Sequence, residues 1–336
     1  MRKFALVPLL LVACGSEEPA PAVEKAWNWK AGGVQAATVL PGGEIFAAVA
    51  GAEGASAEGI FLSADGKPTE TVALDCAGCG GLVPSQPLVV GGQAFFGSAE
   101  PGGPLLRIEP ENRRVRELPI ENPRNLVTGP LRIDGRYAAA MTNGTQMLVP
   151  GGALVEVSDV GMVTEIHRPA GGEAAFLSVR AIAHAFDEVY VYINDSGYLG
   201  RWDAADNSFG TIPFPATRIA GGDGFTIAAV GEEGRIELHE LQDLEEGVLG
   251  PVFGHEVELA VSPQARRIVV GVTSRPFETP APEGVPAPNT VLVLDGSGEV
   301  LGEEKMPGEI RSVSLSPDGG RAVVAHAAGV TAFDLR

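Results

Sequence analysis

Chemistry in proteins begins with nucleophiles, acid–base pairs or metal ligands held at fixed spacing, and this chain offers few of them. Its five histidines, His167, His184, His239, His255 and His326, show no HxH, HxxxH or HExxH spacing. Each therefore reads as a sheet or surface residue rather than a ligand. No Gly-x-Ser-x-Gly elbow, Ser-x-x-Lys pair or Walker loop occurs, which removes the common nucleophile and phosphate signatures. One close cysteine pair stands out, Cys76 and Cys79 in Asp75-Cys76-Ala77-Gly78-Cys79-Gly80-Gly81. Covalent haem attachment needs His after the second cysteine, where Gly80 stands. Zinc needs two more ligands, and no second cysteine pair exists. A redox pair opens a helix, and Gly80-Gly81-Leu82-Val83-Pro84 does not resemble one. Glu53, Glu58, Asp195, Glu232 and Glu233 lie near turns and suit Ca²⁺ if the fold makes them converge, although a turn carboxylate is more often simply solvated. No catalytic residue, metal site or cofactor is assigned on these signals.

The elements that must position any site repeat along the chain. An apolar strand, a Gly/Asp/Pro turn and a second apolar strand recur seven times, from TVLPGGEIFAAVA around Gly42-Gly43 to SLSPDGGRAVVAH around Asp318-Gly319. The six intervals average 46 residues, and a period of about 40–50 residues holding four short strands is propeller spacing. Seven third strands follow (IFLSA, LLRIE, ALVEV, YLGRWD, RIELHEL, VLVLD, VTAFDLR) but only six fourth strands (ETVALD, VRELPI, VTEIHR, FGTIPFP, VLGPVF, VLGEEKMP). The seventh is expected from Ala26–Lys30, AWNWK, ahead of the first unit, so that both chain ends share one sheet and no open edge is left. Ser316-Pro317-Asp318-Gly319, with a degenerate copy at Ser262-Pro263-Gln264-Ala265, resembles the turns of WD40-like, YVTN-type and TolB-type propellers. The resemblance covers residues 26–336 and implies an all-β, seven-bladed propeller with four-stranded antiparallel blades. It implies little about activity, because propellers host unrelated functions.

In such a blade the first–second and third–fourth connections share one face and the remaining connections share the other. The first class is short almost throughout. The second holds the long loops, including Gly51–Gly59, Cys76–Pro84, Thr142–Gly152 and Thr273–Asn289, and long loops on a rigid scaffold carry binding residues. Thr273–Asn289 contains five prolines, a composition that extends a loop and presents Arg275, Phe277 and Glu278 to a partner. Asn143 and Gln146 are the candidate contacts of Thr142–Gly152. The alternative is that both loops are tolerated surface insertions.

The N-terminus supplies an address. Met1-Arg2-Lys3 is a positive n-region and Phe4–Val12 an apolar run too short to span a bilayer. It ends in Leu11-Val12-Ala13-Cys14, which resembles the lipobox of bacterial lipoproteins. The resemblance implies cleavage after Ala13 and acylation of Cys14, with residues 1–13 a signal peptide, 14–25 a linker and 26–336 the propeller. Anchoring by two or three acyl chains is effectively permanent. Outer-membrane placement is expected over inner, because Gly15 rather than Asp follows the cysteine. In an exported protein whose Cys14 is acylated, Cys76 and Cys79 are expected to form a local disulfide, with redox or metal use as the alternatives.

Composition agrees with a large folded all-β domain: 45 Gly and 26 Pro sit beside 45% hydrophobic residues. The net charge of −19 repels phosphate backbones, so no nucleic-acid partner is expected. The function that fits is a membrane-tethered binding module, expected as a monomer, that engages an envelope protein or glycan through the long-loop face. The alternative is a hydrolase or lyase acting at the central channel.

Overall fold

The computed structural model describes 28 strands together with residues 22, 31–33, 40–44, 50–51, 63–67, 110–113, 231, 234, 253–254, 262, 283–289, 296–299, 306–309, 316, 318–320, 327–328 and 336. The strands form seven antiparallel sheets of four. The chain opens on β1 (Val23–Lys30) and then lays down six complete meanders. The first sheet is β2 (Val34–Val39), β3 (Ile45–Val49), β4 (Ala57–Leu62) and β5 (Pro68–Leu74). The second is β6 (Leu88–Val90), β7 (Gln93–Gly97), β8 (Leu105–Glu109) and β9 (Arg114–Leu118). The third is β10 (Leu131–Ile133), β11 (Arg136–Met141), β12 (Ala153–Val157) and β13 (Val163–His167). The fourth is β14 (Val179–Phe186), β15 (Val189–Asn194), β16 (Tyr198–Asp203) and β17 (Ser208–Pro213). The fifth is β18 (Arg218–Gly221), β19 (Thr226–Val230), β20 (Arg235–Glu240) and β21 (Asp243–Val252). The sixth is β22 (His255–Val261), β23 (Arg267–Pro276), β24 (Thr290–Asp295) and β25 (Val300–Lys305). β26 (Ile310–Leu315), β27 (Arg321–His326) and β28 (Gly329–Leu335) complete the chain, and β1 joins them as the fourth strand of the seventh sheet.

These segments are strands because β-branched and apolar residues pack well on a pleated surface, and because the turns between them satisfy their own backbone groups. At Ser316–Arg321, Ser316 Oγ accepts from Arg321 N at 2.9 Å and Asp318 Oδ1 accepts from Gly320 N at 3.0 Å. The serine-to-backbone contact recurs between Ser262 and Arg267 at 3.1 Å and between Ser63 and Lys67 at 3.1 Å. Ser63-Ala64-Asp65-Gly66 is thus a third copy of the serine turn, one that its missing proline disguises in the sequence.

Between consecutive sheets lie apolar layers. Phe46 and Phe61 of the first sheet pack edge-to-face, 5.3 Å between centroids, beside Leu106 and Ile108 of the second. Val257, Leu259 and Val261 of β22 meet Val230, Ile236 and Leu238 of the fifth sheet. On the opposite face of the sixth sheet, Ala260, Val269 and Val293 meet Ile310, Val313 and Val324 of the seventh. Val323, Ala325 and Val330 of the seventh sheet then pack on Val34, Ala37 and Ile45 of the first. The first strands touch in succession, β10 to β14, β14 to β18, β18 to β22, β22 to β26 and β26 to β2. The last sheet therefore borders both the sixth and the first.

β1 runs antiparallel to β28 from Val23 opposite Leu335 to Lys30 opposite Gly329. It begins three residues earlier than the Ala26 expected from sequence. Val23-Glu24-Lys25 reads as linker because it is mostly polar, yet Val23 packs on the sixth and seventh sheets, and Glu24 meets Arg336 at 2.6 Å. Lys25 lies 3.8 Å from Glu304. Gly329 has φ +142°, and a Cβ there would sit 1.9 Å from the Trp29 carbonyl oxygen, so only glycine lets the two strands meet at this corner.

Candidate functional site

Alternate ends of the meanders collect different connections. At one end every link within a sheet is two to five residues long. At the other end the links reach thirteen residues after β5 and after β23, twelve after β9, and eleven after β11 and β13. The asymmetry expected from sequence is present, and the links after β9 and β13 add to it.

At the long-loop end of the sixth sheet the pairing is irregular. Along β22 and β23, His255 pairs with Pro276 and Val257 with Val272, so Thr273, Ser274 and Arg275 together oppose Glu256 alone. This is a bulge, a device that re-aims side chains at strand ends. Thr273 is fully buried, and its Oγ1 accepts from Arg275 N at 3.2 Å, closing the bulge on itself. The bulge turns Arg275 onto Glu256, Nη1 to Oε2 at 3.2 Å. It also turns Ser274 toward the seventh sheet, where its hydroxyl donates to Glu309 Oε1 at 3.2 Å. Asn289, at φ +62°, closes the loop by donating its N–H to the Val272 carbonyl at 2.8 Å.

One side-chain step inward along β22 is Glu258, 8% exposed. Its cross-strand partner is Gly271, where a Cβ would lie 2.8 Å from Ile310 and from Val313. The absent side chain lets the seventh sheet press close beside the carboxyl. Arg218, the first residue of β18, reaches from the fifth sheet to within 3.8 Å of Glu258 Oε1. That distance is a charge contact, beyond hydrogen bonding. Burial pushes the Glu258 carboxyl up to about 7; the neighbouring Glu256 adds to this, while Arg218 and Arg275 pull the other way. Burial prevails because removing a carboxylate from water costs more than two partly solvated guanidiniums return. Arg311 of β26 donates from Nη1 to the Val34 carbonyl at 3.0 Å, tying the seventh sheet to the first. The His255 Nδ1 is buried and has no hydrogen-bond partner.

Among the described residues, Arg275 is the sequence-predicted binding residue that falls in this cluster. Phe277, Glu278, Asn143 and Gln146 lie outside the described residues, as do Cys14, Cys76 and Cys79. Of the carboxylates considered for Ca²⁺, Glu58 is exposed on β4, a third strand away from the contacting first strands. Glu53, Asp195, Glu232 and Glu233 lie outside the described residues. Among the described residues no group of three or more His, Cys, Asp or Glu side chains is placed to hold a metal ion, and no helix is long and apolar enough to cross a membrane. Arg218, Glu256 and Glu258 were missed in the sequence. The available signal was Glu256-Val257-Glu258, two carboxylates two apart on one face of a strand that is otherwise apolar.

No protein-family model matches the chain, and no curated protein matches it. A solved structure does: a chain of Kuenenia stuttgartiensis hydrazine synthase superposes with a TM-score of 0.63 at 14% identity. The match covers 91% of this chain and 96% of that one. At that identity the likeness is one of fold.

Proposed function

We propose that this protein is an exported, lipid-anchored seven-bladed β-propeller that binds an envelope partner through its long-loop end. Seven meanders of four strands, first strands in succession, and a last sheet bordering the first support the ring. So does the likeness to a β-propeller-containing protein. The observation that carries the binding reading is convergence: charged side chains from the fifth and sixth sheets, and Glu309 from the connection into the seventh, gather where the long connections leave. Stable scaffolds seldom keep a buried carboxyl that titrates near neutrality unless a site uses it.

Cross-linking of envelope fractions tests the reading, comparing the wild type with a variant whose residues 277–287 are replaced by a short Gly-Ser bridge. A partner cross-linked to the wild type and lost from the variant is the expected outcome; equal capture by both removes this loop from the site. The anchor is tested by palmitate labelling, expected in the wild type and absent from Cys14→Ser. Mass measurement with and without reductant tests the Cys76–Cys79 bond, and two free thiols in protein from an oxidising compartment exclude it.

A second reading, a hydrolase or lyase acting at the same end, is favoured by Glu258 alone, since a carboxyl poised near pH 7 suits general acid–base work. Turnover of an ester or glycoside panel that disappears in Glu258→Gln establishes it.

A further inference from the structure

The charge arrangement at the long-loop end points to a ligand chemistry, an inference that rests on the binding reading above. The outer layer carries two guanidiniums and one carboxylate: the Arg275 side chain is 55% exposed and those of Arg218 and Glu256 38% each, while the Glu258 side chain is 10% exposed. A molecule arriving from solvent meets the two planar cations, one of them paired with Glu256, before it meets the buried carboxyl. Glu109 of β8, another buried carboxylate, shows what a purely structural arrangement looks like: Arg107 and Arg116 of its own sheet approach it at 2.5 and 3.2 Å. Glu258 has no such hydrogen-bonded clamp from Arg218, which stands off at 3.8 Å on a different sheet. Arg275, in turn, is held in place by a bulge closed on Thr273 rather than by the regular ladder.

We propose that Arg218 of the fifth sheet, 3.8 Å from Glu258, and Arg275 of the sixth, on the bulge opposite Glu256, form a seat for an oxyanion, a carboxylate or a tetrahedral sulfate- or phosphate-type group on the ligand. Guanidinium forks match such groups in geometry and are less strongly hydrated than ammonium, so they bind them well at half-exposed positions. The bound oxyanion takes over the charge contact that Glu258 makes with Arg218. Glu258 then takes one proton from solvent and stays in place as a neutral acid, so its buried charge is never left uncompensated. Among the described residues the other charged or titratable groups are Glu256, which keeps its contact with Arg275, His255 at the start of β22, and at the start of β26 Glu309 and Arg311, engaged with Ser274 and the Val34 carbonyl. The net charge of −19 opposes anions at long range, but screening within about 8 Å leaves the local guanidiniums dominant.

Titration calorimetry of the full-length protein with oxalate and with sulfate, both fully ionised across the range, at pH 6 and pH 8 tests this. Binding about tenfold tighter at pH 6, with uptake approaching one proton per anion at pH 8, is expected. Glu258→Gln should bind at pH 8 as tightly as the wild type does at pH 6 and lose the pH dependence, while Arg218→Ala and Arg275→Ala should each weaken binding tenfold or more. Preference for oxalate identifies a carboxylate ligand, and preference for sulfate a tetrahedral one. Failure of both anions to bind the folded wild type overturns the proposal, as does binding unchanged in both arginine variants. Should those arginine variants still cross-link to a partner that the loop-replaced variant loses, the oxyanion seat falls and the long-loop reading stands.

Discussion

Glu258 and His326 are two buried titratable groups whose effects on stability run in opposite directions. The Glu258 carboxyl is raised from 4.5 to about 7 by burial, so the folded state holds a proton that the unfolded chain releases. Its contribution is intact below pH 4.5 and is lost as pH rises to 7. His326 is fully buried on β27; its Nε2 is 2.9 Å from Thr331 Oγ1, and its Nδ1 accepts from Ala328 N at 3.3 Å. Burial, with a smaller effect of Lys25, lowers it from 6.5 to about 4. Its contribution is present above pH 6.5 and is lost as pH falls to 4. Each effect is at most about 3 kcal/mol at 1.36 kcal/mol per pH unit, and in the wild type they offset one another between pH 4.5 and 6.5. Single substitutions should separate them. Glu258→Gln is expected to raise the melting temperature at pH 8 and to expose a steep loss below pH 6.5. His326→Gln should lower it at neutral pH and flatten that acid loss. Melting curves from pH 4 to 8 decide; parallel profiles for all three proteins would contradict both assignments.

At the scale of elements, the seventh sheet is completed by β1. Trp27 donates its indole N–H to the Ala64 carbonyl at 2.8 Å and lies over the turn between β4 and β5, where a Cβ on Gly66 would come within 2.4 Å of the ring. Arg321 donates to the same carbonyl at 2.7 Å. The strand that completes the seventh sheet thus also locks the first. Trp27→Ala should cost about 2 kcal/mol, less than for a fully buried Trp, and removal of residues 23–30 should bring global unfolding forward in urea by exposing the edge of β28. Loss of cooperativity with an unchanged midpoint would instead mean that the seventh sheet stands without β1.

The strands were legible because period-two patterning and Gly/Asp/Pro turns are local properties, and even the borrowed seventh strand followed from an unpaired third one. Residues 23–25 were not, since Val23-Glu24-Lys25 is mostly polar and carries no strand pattern until β28 lies beside it. The cluster around Glu258 was illegible for a related reason. Thr273-Ser274-Arg275-Pro276 reads as loop, whereas its residues form a bulged strand end, and a carboxylate between apolar residues reads as outward-facing until the neighbouring sheet covers it. Arg218 joins only through the order of the sheets.

At the scale of the whole molecule, the end at which the chain enters fixes how an anchored protein would stand. Val23 pairs with Leu335, and the Arg336 N–H donates to the Ala22 carbonyl at 2.9 Å, so the N-terminal segment leaves from the short-turn end. From Cys14 to Ala22 the chain spans at most about 30 Å. With Cys14 acylated, as proposed, the short turns would face the bilayer and the Arg218–Glu258–Arg275 cluster would face away from it. Glu299 and Glu283 are exposed residues at opposite ends of one sheet, the first in the turn between β24 and β25, the second in the connection from β23 to β24. Fluorophores on Glu299→Cys and Glu283→Cys, each in a background with Cys76 and Cys79 replaced by Ser, change charge identically and differ only in place. In vesicles carrying headgroup quenchers, the lipidated protein should show strong quenching at position 299 and weak quenching at 283. The reverse order would put the long loops against the membrane and exclude a partner in solution, while equal, negligible quenching at both would remove the anchor itself.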